Sequence, residues 1–426
     1  MAVAPLALSQ KSRRTEEPPI TWLIQAALEN PNLISLAAGL VDQDSLPIES
    51  IAAVVQELKS GKNGKAALQY GTTRGLTPLR EWIVQHVAAL DRSSPNELHW
   101  SSENVVVTTG SQQFLYLLSE ILLDPGDIVL TEAPSYFVNH GVLTSHGALV
   151  HTIPMDDDGM RMDALSAHLD ELARRELIGR VKLLYTCDYY QNPSGRTLSA
   201  ERRSELLRLI QRHSDISRIV VLEDAAYREL GFSGVDLPSI KSHDHGNQHV
   251  IYAGTFSKPC APGMKTGYAI LPADLTRPIL ELKGVHDFGS SNFDQHVIEG
   301  FVAGGGYAAH VRSLREIYRS KCAAMLTALD AEFSDLREVQ WTRPAGGMFL
   351  WMTFPENVST GPGGGLLEAA MREGMLYVPG EFCHVPDANG KMRYNEIRLS
   401  FGVERPDRIV EAVRRLRRAV RTACGC

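Results

Sequence analysis

Short apolar runs alternate with amphipathic stretches through the middle of the chain, and that alternation sets the expected fold. Asn104 to Thr108, Ile128 to Thr131, Ala148 to Ile153, Val181 to Tyr185, Ile219 to Leu222 and Val250 to Ala253 all have strand length. The Val250 to Ala253 run is apolar throughout and suits a buried strand. Between them lie stretches of helical spacing, such as Ser111 to Leu123, closed by Asp124-Pro125-Gly126-Asp127, and Ala200 to Arg212. Strands alternating with helices imply right-handed crossovers and a mainly parallel sheet covered on both faces. Lys265 to Leu271 adds an antiparallel strand.

The pattern changes towards both ends. Residues 1–19 carry five charges and three prolines and read as an arm, followed by a helical stretch from Ile20 to Leu28 that Pro31 ends. Beyond about residue 300, Tyr307 to Phe333 is long, periodic and charged on one face, as a helix bridging two domains would be. Met348 to Met352 and Glu396 to Phe401 are strands of a smaller α+β unit, completed by a Gly-rich loop at 361–365 and a basic last helix, Ile409 to Arg421.

Composition narrows the class. The 426 residues are 44% hydrophobic and 22% charged, ordinary for a globular protein, and long enough for two or three domains. A net charge of -7 argues against a general binder of nucleic acid or anionic membranes. The opening Ala-Val-Ala-Pro-Leu-Ala-Leu lacks the charged start of a signal peptide, and no stretch approaches the roughly 18 apolar residues of a membrane span. Cysteines at 187, 260, 322, 383, 424 and 426 show no ligand spacing and read as free thiols in a reducing, cytoplasmic compartment. Cys424-Gly425-Cys426 reads as a frayed tail, and His243, His245 and His249 as a solvated turn rather than a metal site.

The candidate chemistry collects at the predicted strand ends. Thr255-Phe256-Ser257-Lys258 follows the Val250 to Ala253 run, with a second cation at Lys265. Ligands of α/β folds bind beyond the carboxyl ends of strands. A lysine held there beside anion-binding groups can form a Schiff base with an aldehyde cofactor carrying a phosphate. The strand at 219–222 runs into Glu223-Asp224-Ala225-Ala226-Tyr227. A carboxylate there can keep a pyridine ring nitrogen protonated, although Asp224 alone is equally well a helix cap. Gln191-Asn192-Pro193-Ser194-Gly195 follows another strand and is, on its own, an ordinary turn. Gly110 and Ser111 open a helix whose free amides favour a phosphate. Tyr136, in Glu132-Ala133-Pro134-Ser135-Tyr136, could stack on a ring or be a buried structural tyrosine.

Taken together and in order, Gly-Ser-Gln, Pro-Ser-Tyr, Asn-Pro-Ser-Gly, Glu-Asp-Ala-Ala-Tyr and Ser-Lys with Pro-Gly-Met-Lys-x-Gly resemble the fold type I pyridoxal phosphate enzymes. Within these the chain is similar to the class I/II aminotransferases, and most of all to the subgroup of kynurenine and α-aminoadipate aminotransferases. The resemblance runs from Ser35 to Ser400. It implies a large domain at 49–300 with a mixed, mostly parallel seven-stranded sheet. A small α+β domain would be built from 1–48 and 301–426.

It also implies that Lys258 carries the cofactor and moves the substrate's proton. Asp224 binds the ring nitrogen, Asn192 and Tyr227 the phenolic oxygen, and Tyr136 the ring face. Ser111, Gln112, Thr255, Ser257 and Lys265 hold the phosphate, and Arg398 pairs with the substrate's α-carboxylate as a planar fork. Gly39 lies in the loop that lines the substrate pocket. Tyr70 reaches the phosphate of a neighbouring subunit in a homodimer, with Ser290-Ser291-Asn292 near the same place.

Two positions depart from the family's pattern. Lysine stands at 265 where arginine is usual, and Thr21 and Trp22 stand where an arginine reading a distal carboxylate is often found. Neutral, apolar or aromatic donors are therefore expected. A lyase, racemase or decarboxylase on the same scaffold is the alternative, because the α-bond that breaks depends on its orientation to the ring. A ligand-sensing regulator fused to a DNA-binding module is disfavoured by the acidic charge and by the few residues before the first motif.

Overall fold

The computed structural model describes residues 6–30, 32–232, 236–386 and 390–424. Its main sheet has eight strands, in the order Val105–Thr109, Thr266–Ile270, Val250–Thr255, Val220–Asp224, Val181–Thr186, Ile128–Ala133, Leu149–Asp156 and Gly159–Met160. Thr266–Ile270 is antiparallel to both neighbours, as expected, and the four pairings from Val250–Thr255 to Leu149–Asp156 all run parallel. The seven expected strands are present. Gly159–Met160 adds an eighth, pairing antiparallel with the outer strand through Met155 opposite Met160. Two residues are too few for periodicity to register.

Successive side chains of a strand point to opposite faces, and the two apolar layers show it. Leu184 and Val221 pack beneath Leu165 and Leu169 of the helix Met162–Arg174 and Leu206 and Ile210 of Ala200–Arg212. Their chain neighbours Leu183 and Val220 pack on the other face, against Phe114 and Leu118 of Gly110–Leu122 and Ile279 of Ala273–His286. Burying each such leucine or isoleucine contributes roughly 1.5–3 kcal/mol relative to exposure. With both faces covered, the edges of the parallel strands at their carboxyl ends are what remains open to a ligand.

A second sheet follows the order Gln340–Trp341, Phe349–Thr353, Glu396–Ser400, Val378–Pro379, all antiparallel. Arg398 sits in its centre, opposite Trp351 on one side and Val378 on the other. The helix Pro406–Cys424 covers this part with Ile409, Val413, Leu416 and Val420 buried at helical spacing. Ile34–Ser35 pairs in parallel with Met375–Leu376, so the residues before 40 join the C-terminal part of the chain. The helix Gly306–Phe333, about 42 Å long at 1.5 Å per residue, links the two regions. Tyr307 at its start packs edge-on to Phe256 and Trp82, while Lys321 near its middle donates to Gly402 and Val403 carbonyls.

One correction concerns the arm. Gln10–Arg14 is a short helix, capped by Ser9, whose hydroxyl accepts from the Ser12 amide. Lys11 contacts Glu120 and His146, and Arg14 Nε donates to the Ser145 carbonyl at 3.2 Å. None of its residues is buried, so no apolar period announces it. It is held by charges that meet partners more than a hundred positions away. Residues 1–5 of the arm, and Gly425 and Cys426 of the tail, lie outside the described residues. No group of three metal-ligating side chains occurs among the described residues, His243, His245 and His249 included.

Candidate active site

The carboxyl ends of the central strands and the loop at 38–40 enclose a cavity of about 300 Å³. Lys258 enters it just past Val250–Thr255, where the chain reverses: the amides of Cys260 and Ala261 both donate to the Phe256 carbonyl. The Lys258 ammonium donates to the Gly39 carbonyl at 2.7 Å. Burial lowers its pKa to about 8, helped by the positive charge of Arg398 and opposed by Asp224. A lysine poised there can exist as the neutral amine that nucleophilic and base chemistry require.

Asp224 is the last residue of its strand and is buried. It accepts hydrogen bonds from the Tyr185 hydroxyl at 2.9 Å and the Ala226 amide at 3.3 Å. Burial pushes its carboxyl up to about 6, although both bonds favour the anion. It does not act as a helix cap: its donors come from a neighbouring strand and from the turn two residues on. An incoming cationic group would find a carboxylate already desolvated and oriented.

Arg398 closes the opposite wall. Its Nη1 donates to Asn192 Oδ1 at 2.8 Å and its Nη2 to the Ala37 carbonyl at 2.7 Å, while the guanidinium lies 4.3 Å from the Phe349 ring centre. Its Nε is buried and meets no acceptor among the described residues. A buried guanidinium with an unsatisfied donor, in a cavity whose one carboxylate among the described residues is Asp224, is suited to take a carboxylate. Burial also holds its pKa below the usual arginine value. Asn192 spends its carbonyl on Arg398, which leaves its amide to donate.

The far end of the cavity is suited to a phosphate. The helix Gly110–Leu122 begins after Thr109 with no side-chain cap, so its first amides stay available, with Ser111 and Gln112 on the cavity wall. Gly110 has φ +71°, a left-handed turn that lets the strand run directly into the helix. A Cβ on Gly267 would come within 2.5 Å of the Ser111 amide nitrogen, so only glycine allows the adjacent strand to pack this close. Thr255 and Ser257 join through their hydroxyls at 3.0 Å, and Lys265, exposed and at φ +48°, lies beside them. Tyr136 and Tyr227 also line the cavity.

Tyr70, expected at the phosphate of a neighbouring subunit, does not line the cavity of its own chain. It is 83% exposed and packs edge-on to Phe288. Asn292 holds the preceding segment, donating to the Ala66 and Gln69 carbonyls at 2.9 and 3.0 Å. Thr21 and Trp22 are exposed on the helix Pro19–Glu29 and do not line the cavity either. Five wall residues escaped the sequence reading: Phe137, Val138, Tyr185, Cys187 and Phe349. Each sits in an apolar run or beside a motif, where a core role is the default. Tyr185, last but one in its strand, carried the only usable signal.

A strand-end lysine beside a desolvated carboxylate, with an anion site at each end of the space between them, is the layout of a pyridoxal phosphate transferase. The family model for aminotransferase class I and II matches residues 31–416, and the chain belongs to that family. It is 34% identical to aromatic-amino-acid aminotransferase 1 of Thermococcus litoralis over 400 residues, covering 92% of this chain and 89% of the relative. It is also 34% identical to 2-aminoadipate transaminase of Thermus thermophilus, covering 92% and 91%. The crystal structure of Pyrococcus horikoshii kynurenine aminotransferase in complex with PMP superposes with a TM-score of 0.88 at 34% identity, covering 97% of each chain. The protein is a fold type I aminotransferase that uses pyridoxal phosphate to move an amino group from an amino acid to a 2-oxo acid.

Proposed function

We propose that the donors are neutral, apolar or aromatic amino acids, and that the residues at the cavity wall divide the work as follows. Bound pyridoxal phosphate supplies a ring that withdraws the electron pair released at the substrate's α-carbon. Lys258 holds the cofactor covalently between turnovers and, once free as a neutral amine, takes and returns the α-proton. Asp224 keeps a proton on the ring nitrogen, held in place by Tyr185. Asn192 and Tyr227 donate to the ring oxygen, and Tyr136 covers a ring face. Ser111, Gln112, Thr255, Ser257, Lys265 and the open helix amides hold the phosphate. Arg398 takes the α-carboxylate, which orients the α-proton towards Lys258.

The single observation that carries the donor preference is the inventory of cations at the wall. They are Lys258, Lys265 and Arg398 among the described residues, and each already has a role. The rest of the substrate end is Leu40, Phe137, Val138 and Phe349. A second carboxylate there would be desolvated without a partner. Two arm cations could swing in to take an acceptor's second carboxylate. Arg14 is tied to the Ser145 carbonyl and Arg13 is exposed, so acceptor preference is left to the assay. The aromatic relative from Thermococcus supports this reading. The test ranks kcat/KM for leucine, phenylalanine, kynurenine, aminoadipate and aspartate, with pyruvate and 2-oxoglutarate as acceptors. Aminoadipate or aspartate in first place would overturn the preference.

The proposal extends to assembly and organisation. A homodimer with shared sites gives Tyr70 a phosphate to reach, and the exposure of Leu68, two residues before it, and of its ring partner Phe288 supports a covered surface there. The division into 49–300 and into 1–48 with 301–426 is supported by two separate sheets and by the pairing of Ile34–Ser35 with Met375–Leu376. Free, buried thiols at Cys187, Cys260, Cys322 and Cys383 support a reducing, cytoplasmic setting. No helix among the described residues is long and apolar enough to cross a membrane.

A further inference from the structure

Glu132 has no part in the roles above, yet it is a fully buried carboxylate only four residues from Tyr136. It belongs to the strand Ile128–Ala133 and does not line the cavity. Its Oε1 accepts from Thr186 Oγ1 at 2.7 Å, and its Oε2 from the Cys187 amide at 3.1 Å and Gln191 Nε2 at 2.6 Å. The same Gln191 Nε2 reaches the Pro134 carbonyl at 3.0 Å, and Met155 Sδ lies at 3.2 Å. Gln191 Oε1 accepts from Ser194 Oγ and from the Ser194 amide at 3.3 Å, and the Gln191 carbonyl from the Gly195 amide at 2.7 Å. Two turns are therefore fastened to one carboxylate. One leads to Tyr136; the other carries Asn192, which holds Arg398 at 2.8 Å.

We propose that Glu132 is a positioning residue: through Gln191 it locks the Asn192 turn to the Tyr136 turn and so fixes Arg398 for the substrate's carboxylate. A buried anion is costly, and packing alone would be served as well by an amide or an apolar side chain. What the anion adds is three charge-assisted acceptor bonds, shorter and stiffer than neutral ones. Burial and the nearby Asp188 charge push its carboxyl up to about 7, and the three donors work against that rise. A misplaced Asn192 would lose its grip on Arg398, and small errors in orientation weaken carboxylate recognition disproportionately.

The inference rests on Arg398 being the carboxylate site, and the experiment separates the two. Binding of 3-phenylpropanoate, which has the carboxylate but no amine, is titrated on the holoenzyme of wild type, Arg398→Lys, Glu132→Gln and Gln191→Leu. Glu132→Gln should weaken binding about tenfold, and raise KM for phenylalanine alike, with kcat within about threefold and the cofactor's visible band unchanged. Gln191→Leu, which cuts the link but leaves two donors on Glu132, should show the same weakening, and it keeps the test open if Glu132→Gln does not fold. Unchanged binding in either variant while Arg398→Lys weakens it would overturn the positioning role alone. Loss of inhibitor binding, turnover and cofactor together in Gln191→Leu would also overturn it. No effect of Arg398→Lys would sink the carboxylate reading itself.

Discussion

The two ends of the cavity are built on opposite plans. At the reaction end the charged groups already have protein partners: Lys258 on Gly39, Asp224 on Tyr185, Arg398 on Asn192 and Ala37. They are buried, and the pKa values of Lys258 and Asp224 are shifted towards the middle of the scale. At the phosphate end the helix is uncapped, Lys265 is exposed and Tyr70 faces away into solvent. Preorganised groups cost nothing to arrange at the moment of reaction, so the chemical end gains from being rigid and complete. The phosphate end is completed only by what arrives: an anion and, on our proposal, a second chain. Substitutions at the first end should therefore alter rate, and those at the second should alter retention of the cofactor.

The largest expected effect is at Lys258. Lys258→Ala should retain the cofactor through its phosphate contacts but lose turnover by several orders of magnitude, since both covalent attachment and proton transfer depend on that amine. Borohydride reduction of the wild type should fix the cofactor to the peptide containing Lys258. Label on a different lysine would break the division between the two ends.

Asp224 comes next, and it separates function from stability. Asp224→Asn should slow turnover about 10²-fold or more, because an amide cannot hold the ring nitrogen protonated. In the cofactor-free protein the sign reverses. The buried carboxyl titrates at about 6 against an ordinary value of 3.8, so between those pH values the folded state binds more protons than the unfolded one. Stability then falls as pH rises from about 4 to 6, with about 3 kcal/mol at stake at most. Cofactor-free Asp224→Asn should fall less over that range and melt higher than wild type at pH 7. An identical pH dependence in the two proteins would show that the carboxylate is not strained by burial.

How much of this was legible in the sequence follows the same divide. Strand ends could be read because a buried parallel strand is an unbroken apolar run, and the residue after it is where a ligand binds. That placed Lys258, Asp224 and Asn192 in one neighbourhood. The pairing of Arg398 with Asn192, 206 positions away, has no local signature, and Arg398 on its own looked like a surface charge. Tyr185 and Glu132 were hidden by chemistry that resembles core packing. The helix Gln10–Arg14 was hidden because its stability comes from distant Glu120, His146 and Ser145 rather than from an apolar face. Local pattern reports burial well; it does not report which buried polar groups have met.

Lys265 tests the open end with a smaller effect. Lys265→Ala should weaken cofactor binding by about 1.5–3 kcal/mol, the range of a charge-assisted bond, with kcat at saturating cofactor nearly unchanged. Lys265→Arg should bind equally well or better if the space admits a planar fork, which can make two bonds to one phosphate. The readout is a cofactor titration by visible absorbance. An unchanged affinity in Lys265→Ala would remove this residue from the phosphate site.

The smallest effect is predicted at Tyr70, and it needs a mixing experiment to interpret. Tyr70→Phe removes one hydroxyl, so cofactor affinity should fall only about threefold to tenfold. In a dimer with shared sites, a hybrid of Tyr70→Phe and Lys258→Ala chains contains one site with both defects. Its other site pairs an intact Lys258 with the intact Tyr70 of the Lys258→Ala chain. Cofactor affinity at that second site should return to the wild-type value. If Tyr70 instead served its own chain, the only site with a working lysine would still lack the hydroxyl, and affinity would stay at the Tyr70→Phe level. The exposed position of Tyr70 beside Phe288, outside its own cavity, favours recovery. A fully active monomer in sedimentation would break the contrast at its root, because the phosphate end would then be complete without a second chain.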